Sequence, residues 1–350
     1  MKIIVDIVHP AHVHFFRHPI QQWQASGHEV LITSRHKEIA TDLLDALGLK
    51  HQVLSSLGGG GFVALARELI TRNWALWKVV RAFKPDVMTG IAGVSIAQVG
   101  RLTGVPSVVF YDTENARLSN AITYPFASMV VVPRCYQAWL PKRHLRYPGY
   151  HELSYLHPRR FHPDRQIALD NGLAQEGATF FIRTVSWQAN HDQFDSGWTP
   201  ELLRRCTNHL SQYGKVIISS ETPLPDDLSD HAFHGNPAQI HHLMAFCRLF
   251  VGESATMASE CAVLGVPAIY AAETGRGYTD EQESRYGLVH NLRDFSWPNL
   301  QSILDDMLKK SDDSLLSAHQ KLLDDTIDVA DFITDFVLKA ARREPLEFTF

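Results

Sequence analysis

The residues best suited to chemistry lie in short polar clusters, each following an apolar run. His9-Pro10-Ala11-His12-Val13-His14 follows the run Ile3–Val8. An imidazole titrates near neutrality, so a histidine at a strand end is a natural general base for a hydroxyl proton. Helix capping or backbone bonding is the alternative for any one of these rings; as a group they read as functional. Phe110-Tyr111-Asp112-Thr113-Glu114-Asn115-Ala116 follows a second run. A carboxylate there orients a histidine or holds an acceptor hydroxyl, while helix N-capping by Asp112 or Thr113, with Glu114 in the first turn, is the structural alternative. His12, His14 and Glu114 are the candidate catalytic residues.

The second half carries residues suited to an anion and a sugar. Arg183-Thr184-Val185-Ser186-Trp187, followed by His191, puts a guanidinium at the end of an apolar strand. Such a charge needs a partner: a diphosphate, or an internal salt bridge. Gly252-Glu253-Ser254-Ala255-Thr256-Met257-Ala258-Ser259-Glu260 then runs from a strand through small residues into a helix, which Gly265-Val266-Pro267 ends. Small residues at Ser254, Ala255 and Thr256 let helix N-terminal amides approach phosphate oxygens. The Glu260 carboxylate, an acceptor only, suits a pair of ribose hydroxyls.

These clusters need a scaffold that presents strand ends side by side. Val/Ile-rich runs alternate with helical periods, the pattern of βαβ units and a parallel sheet. Strands are predicted at Ile3–Val8, Glu29–Thr33, Asp86–Thr89, Ser107–Tyr111 and Met129–Val132, with helices near Phe16–Ser26, Ile39–Leu47, Phe62–Phe83, Ser95–Thr103 and Ala121–Ala127. Gly58–Gly61 reads as a mobile loop. Tyr147–Asp164, with Pro148, Pro158 and Pro163, reads as a linker. Strands then restart at Thr179–Thr184, Lys215–Ser219, Leu249–Val251 and Ala268–Tyr270. Helices are predicted near Thr199–Tyr213, Gln239–Cys247, Met257–Leu264 and Asp280–Tyr286, and a last one over Ile327–Arg342. The expected organisation is α/β: Rossmann-like domains over 1–155 and 165–326, and a C-terminal crossover helix and tail over 327–350.

Composition narrows the function. The chain has 350 residues, 45% of them hydrophobic and 20% charged, with a formal net charge of -5. That length favours two domains, and that charge argues against a nucleic-acid partner. No apolar run is long enough to cross a bilayer. The N-terminus enters a strand directly, which predicts a cytoplasmic protein. Cys135, Cys206, Cys247 and Cys261 form no CxxC pair, so no thiolate metal site is expected. Neither a metal nor a cofactor is called for.

Two blocks carry a family resemblance. Lys84-Pro85-Asp86-Val87, Gly90, Gly93, Gly104-Val105-Pro106, Glu114-Asn115-Ala116 and Asn120 form the first; Ser254–Glu260, Gly265-Val266-Pro267 and Asp280-Glu281-Gln282 form the second. Together they resemble the GT-B glycosyltransferases, in particular the MurG-type UDP-GlcNAc transferases, and more closely an uncharacterised family of the same clan. The resemblance implies two Rossmann-like domains facing a cleft and transfer of a sugar from a nucleotide-sugar, UDP-linked by preference, to a hydroxyl acceptor. It assigns His12 as the acceptor-side base, Glu260 to the ribose, Ser254 and Thr256 to the diphosphate, and Glu281 and Gln282 to sugar hydroxyls. The glutamate pair of retaining members does not match the spacing of Glu253 and Glu260, so inversion is implied. Where the family has glycine-rich loops, this chain has His9-Pro10-Ala11 and Arg183-Thr184.

Rival readings follow from the same residues. A non-hydrolysing UDP-sugar 2-epimerase shares fold and donor site and needs no acceptor. A metal-dependent hydrolase would use His12 and His14 as ligands, and a silent sugar-nucleotide binding protein would use neither. On the helix Phe62–Lys84, the face with Phe62, Leu65, Leu69, Leu76, Val79, Val80 and Phe83 is expected to pack. The opposite face, with Val63, Arg67, Ile70, Trp74, Trp77, Lys78 and Arg81, suits peripheral docking on anionic membrane towards a lipid-linked acceptor. Cover by the Gly58–Gly61 loop or by a second subunit is the alternative.

Overall fold

The computed structural model describes residues 1–36, 38–56, 62–185 and 198–346. The Gly58–Gly61 loop and the candidate positions Ser186, Trp187 and His191 lie outside them. The chain forms two compact units, Met1–Tyr155 with Ile327–Phe350, and Leu156–Thr326.

The first unit holds a seven-stranded sheet. Its strands are β1 (Lys2–Ile7), β2 (Glu29–His36), β3 (His51–Ser56), β4 (Val87–Ile91), β5 (Ser107–Phe110), β6 (Met129–Pro133) and β7 (His144–Tyr147). They lie in the order β3-β2-β1-β4-β5-β6-β7, all parallel. Helices α1 (Pro10–Ala25), α2 (Glu38–Ala46), α3 (Phe62–Phe83), α4 (Val94–Thr103) and α5 (Arg117–Thr123) make the crossovers, and the short turn α6 (Leu153–Leu156) ends the run. Strands β1 and β4 are buried almost throughout, as expected of parallel strands covered on both faces. Strand order reverses between β1 and β4, which opens a crevice at their carboxyl ends.

The second unit opens with α7 (Arg165–Asp170) and is built on β8 (Ala178–Thr184), β9 (Gly214–Ser220), β10 (Leu249–Gly252), β11 (Ala268–Ala271) and β12 (Val289–Leu292). Their order is β12-β11-β10-β8-β9, again parallel, with the reversal between β8 and β10. Gly252 is required there: a Cβ would stand 2.4 Å from the Arg183 carbonyl oxygen on β8. The connections are α8 (Pro200–Leu210), α9 (Ile240–Met244), α10 (Ala255–Val263), α11 (Gly277–Glu281), α12 (Trp297–Leu308) and α13 (Asp312–Asp324). The core of this unit gathers Phe180, Trp198, Leu203, Val251, Ile269 and Leu304. The last helix, α14 (Val329–Arg342), belongs to the first unit. Trp23 Nε1 of α1 donates to the Thr334 carbonyl, and Gln22 bonds Asp331 and Thr334.

Some sequence expectations are corrected. The helix expected from Phe16 begins at Pro10, so His12 and His14 sit in its first turns and not on a free loop. Proline is pre-shaped for the first helical position, and His9 Nδ1 accepts the Ala11 N–H as the cap. Helix α5 starts at Arg117, ahead of the expected Ala121, and its cap position, Ala116, makes no side-chain bond. Strands β3, β7 and β12 were not foreseen; β3 and β7 are edge strands with exposed positions and carry little apolar signal. Leu65, expected on the packed face of α3, is 57% exposed, while Arg72 is buried.

Candidate functional site

In the first unit, the loop after β5, the first turn of α1 and the segment after β7 bring together a carboxylate and imidazoles. Asp112 does not cap a helix. Its Oδ2 lies 3.2 Å from His151 Nδ1, and its Oδ1 accepts the Thr113 hydroxyl at 2.9 Å. Burial pushes the Asp112 carboxyl up, but the His151 charge and hydrogen bond, Thr113 and the His12 charge outweigh it and hold it down at about 2. Asp112 is therefore a fixed negative charge between two imidazoles. His151 packs its ring on Phe15 at 4.4 Å, and its Nε2 is sealed from solvent. That atom cannot meet a substrate, so His151 positions Asp112.

His12 is largely buried in the first turn of α1. The Val8 N–H faces its Nδ1 at 3.4 Å, at the long edge of hydrogen-bond range. In that setting the neutral ring keeps its proton on Nε2. The other two candidates have contacts of their own. His14 stacks towards Tyr155, with ring centroids 5.3 Å apart, and Glu114 Oε1 accepts from the Gln137 N–H at 3.4 Å. The His12 charge is coupled to Asp112.

A second feature of this unit escaped the sequence reading. A cavity of about 570 Å³ opens at the carboxyl ends of β1 and β4, between α3, α4 and α5. Asp6 and Arg72, both buried, form an ion pair at 2.6 Å on its wall. Asp6 also accepts from the Thr33 hydroxyl, and Arg72 donates to the Ser34 carbonyl and the Ser55 hydroxyl. One network thereby knits β1, β2, β3 and α3. An Arg inside an apolar helical period was the only sequence signal for it, and its partner lay far upstream.

In the second unit the predicted residues converge on α10. Ser254 caps this helix, its Oγ accepting the Met257 N–H at 3.3 Å, with Ala255 and Thr256 part-exposed in the first turn. Glu260 lies a turn further on, buried, with Oε1 2.9 Å from His241 Nε2 of α9. Gln282 is fully buried and donates to the Ser259 hydroxyl at 2.8 Å, which fastens the turn after α11 to α10. Glu281 beside it is part-exposed. At the end of β8, Arg183 takes the internal partner: Glu221 Oε1 at 2.6 Å and Ser219 Oγ at 2.8 Å. Glu253 accepts the Val185 and Trp198 N–H groups, and burial pushes its carboxyl up despite these bonds. His241 gave no sequence signal beyond the local richness in histidine. Among the described residues no group of side chains forms a metal site.

The family described as "Protein of unknown function (DUF354)" matches residues 1–341. An uncharacterised protein of Methanocaldococcus jannaschii is 24% identical over 136 residues, 38% of this chain and 39% of that protein, so the match spans about two fifths of the relative. Solved structures similar to this chain include a UDP-GlcNAc 2-epimerase from Neisseria meningitidis bound to UDP-GlcNAc, at TM-score 0.68 and 11% identity over 98% of this chain and 100% of that one. The spinosyn rhamnosyltransferase SpnG complexed with spinosyn aglycone matches at TM-score 0.65 and 14% identity, over 96% and 99%. The UDP-GlcNAc 2-epimerase of M. jannaschii matches at 0.65 and 13%, over 89% and 94%. The fold is GT-B.

Proposed function

We propose that this chain, which belongs to the family described as protein of unknown function DUF354, transfers a sugar from a nucleotide-sugar to a hydroxyl acceptor. The observation that carries this reading is the Asp112, His12 and His151 cluster at the carboxyl ends of the first sheet. In the proposed reaction the acceptor oxygen attacks the anomeric carbon, the bond to the diphosphate breaks with its electron pair leaving on phosphate, and His12 takes the acceptor proton. Asp112, held in place by His151, stabilises the imidazolium that forms. Direct attack inverts the anomeric configuration. The donor, a UDP-sugar by preference, is assigned to the second unit: phosphates at the α10 N-terminus with Ser254, Ala255 and Thr256, ribose on Glu260 and sugar hydroxyls on Glu281, while the expected sugar contact of Gln282 is replaced by its buried bond to Ser259, which holds the turn beside Glu281. Arg183 reaches a phosphate only by exchanging Glu221 for it.

The epimerase reading is supported by the structural similarity to UDP-GlcNAc 2-epimerases. Calorimetry with UDP and UDP-GlcNAc, on the wild type and Glu260→Ala, tests the donor site. Binding that weakens at least tenfold in the variant is expected; equal affinity removes the assignment. Proton NMR of UDP-GlcNAc incubated with enzyme and no acceptor separates the reactions, because a C2 epimer appearing there establishes epimerisation in place of transfer. His12→Ala should lower turnover by about 10²–10⁴-fold with donor affinity little changed.

A further inference from the structure

The first-unit cavity is apolar along most of its lining and polar at one end. It lies where strand order reverses between β1 and β4, the place where open parallel sheets bind ligands. Its 570 Å³ is within the range of small-molecule sites. Leu65, Leu69, Ile91, Val94, Leu118 and Ile122 give it an apolar wall. The nearby charges, Asp6 with Arg72 and Arg35 with Glu68, are already neutralised as pairs.

One end of the cavity is different. Gly93, Val94 and Ser95 form the first turn of α4 and line it, and the cap of that helix makes no side-chain hydrogen bond. Ser95 is 4% exposed, and its hydroxyl bonds none of the described residues. Arg35 Nε, on the same lining, is a buried donor with no partner among them. Ala92, just ahead of the helix, holds φ 49, a left-handed backbone that a residue with a Cβ adopts at a cost, and its N–H is tied to the Phe110 carbonyl. The Val94 N–H is taken by the Ala92 carbonyl; the next amides of that turn, a buried hydroxyl and a guanidinium N–H all donate, and all suit an anion.

We propose that this cavity is the acceptor subsite of the transfer reaction, and that its occupant is an amphiphile: an apolar chain or ring ending in an anionic group. The apolar part lies along Leu69 and Ile122; the anion meets the α4 N-terminus, Ser95 and Arg35. This rests on the transferase reading for its role, though not for the chemistry of the ligand.

Octyl phosphate, titrated calorimetrically below its micellar concentration, is the probe; inorganic phosphate supplies the anion alone and octanol the chain alone. Octyl phosphate should bind at least tenfold more tightly than either. Ser95→Ala should weaken it about tenfold, and Leu69→Trp, which fills the cavity, should abolish it. Should Leu69→Trp fail to fold, the exposed Ala66→Trp at the same lining takes its place. Equal affinity in all variants, or loss on Trp74→Ala instead, would mean binding at the exposed face of α3 and would overturn the proposal. Phosphate binding as tightly as octyl phosphate would overturn the amphiphile. A UDP titration of the same samples separates the two readings: UDP binding without octyl phosphate binding removes this inference alone, and absence of both removes the transferase reading too.

Discussion

Replacing Asp112 with asparagine removes one charge and keeps the shape, so it isolates the electrostatic role of the cluster. In the wild type the carboxyl is held at about 2 against an ordinary 3.8. At roughly 1.4 kcal/mol per pH unit, that gap corresponds to about 2 kcal/mol. The sign follows from linkage. The folded value is depressed, so this stability is fully present above about pH 4 and is lost as pH falls towards 2. Urea unfolding of wild type and Asp112→Asn, compared at pH 5 and at pH 2.5, reads the difference. The gap between the two proteins should shrink by about 1.5 kcal/mol across the window, and turnover at neutral pH should fall by about 10²-fold or more. A stability difference that does not change with pH would show that Asp112 carries no paired charge. Unchanged turnover would remove it from the reaction.

The buried Asp6–Arg72 pair makes a sharper stability prediction. Arg72→Met leaves Asp6 uncompensated and should cost about 3–5 kcal/mol, much of it recovered in the double variant Asp6→Leu/Arg72→Met; a single-variant loss under about 1 kcal/mol would contradict the pairing. On α3, Ile70 and Trp74 are exposed, the Trp74 and Trp77 rings stack at 5.0 Å, and Lys78 and Arg81 stand over them. We propose that this face docks on anionic membrane. Liposome flotation should recover the protein at low salt and lose it with Trp74→Ala and Arg81→Ala combined, and protein that stays off anionic vesicles at both low and moderate salt excludes the contact.

The sequence alone determined the repeating strand–helix order and the elements that carry the candidate donor-site residues. Val/Ile runs such as Ile3–Val8 and Leu249–Val251 are local signals, because a strand buried on both faces must be apolar along its length. The Ser254 cap and the Gly265 stop, with its φ of 80, are equally local, since each needs only its own turn. Short edge strands were illegible for the opposite reason: β7 is His-Leu-Arg-Tyr, and only its neighbour β6 makes it a strand. Tertiary structure alone decided the partners. Asp112 meets His151, Asp6 meets Arg72 and Glu260 meets His241 across long stretches of chain, and no spacing rule encodes such pairs. It also paired Arg183 with Glu221, set His14 against Tyr155 and brought the Gln137 N–H to Glu114. The cavity belongs to the same class: its walls come from β1, β2, β4, α3, α4 and α5, and only the reversal of strand order between β1 and β4 places them around one space.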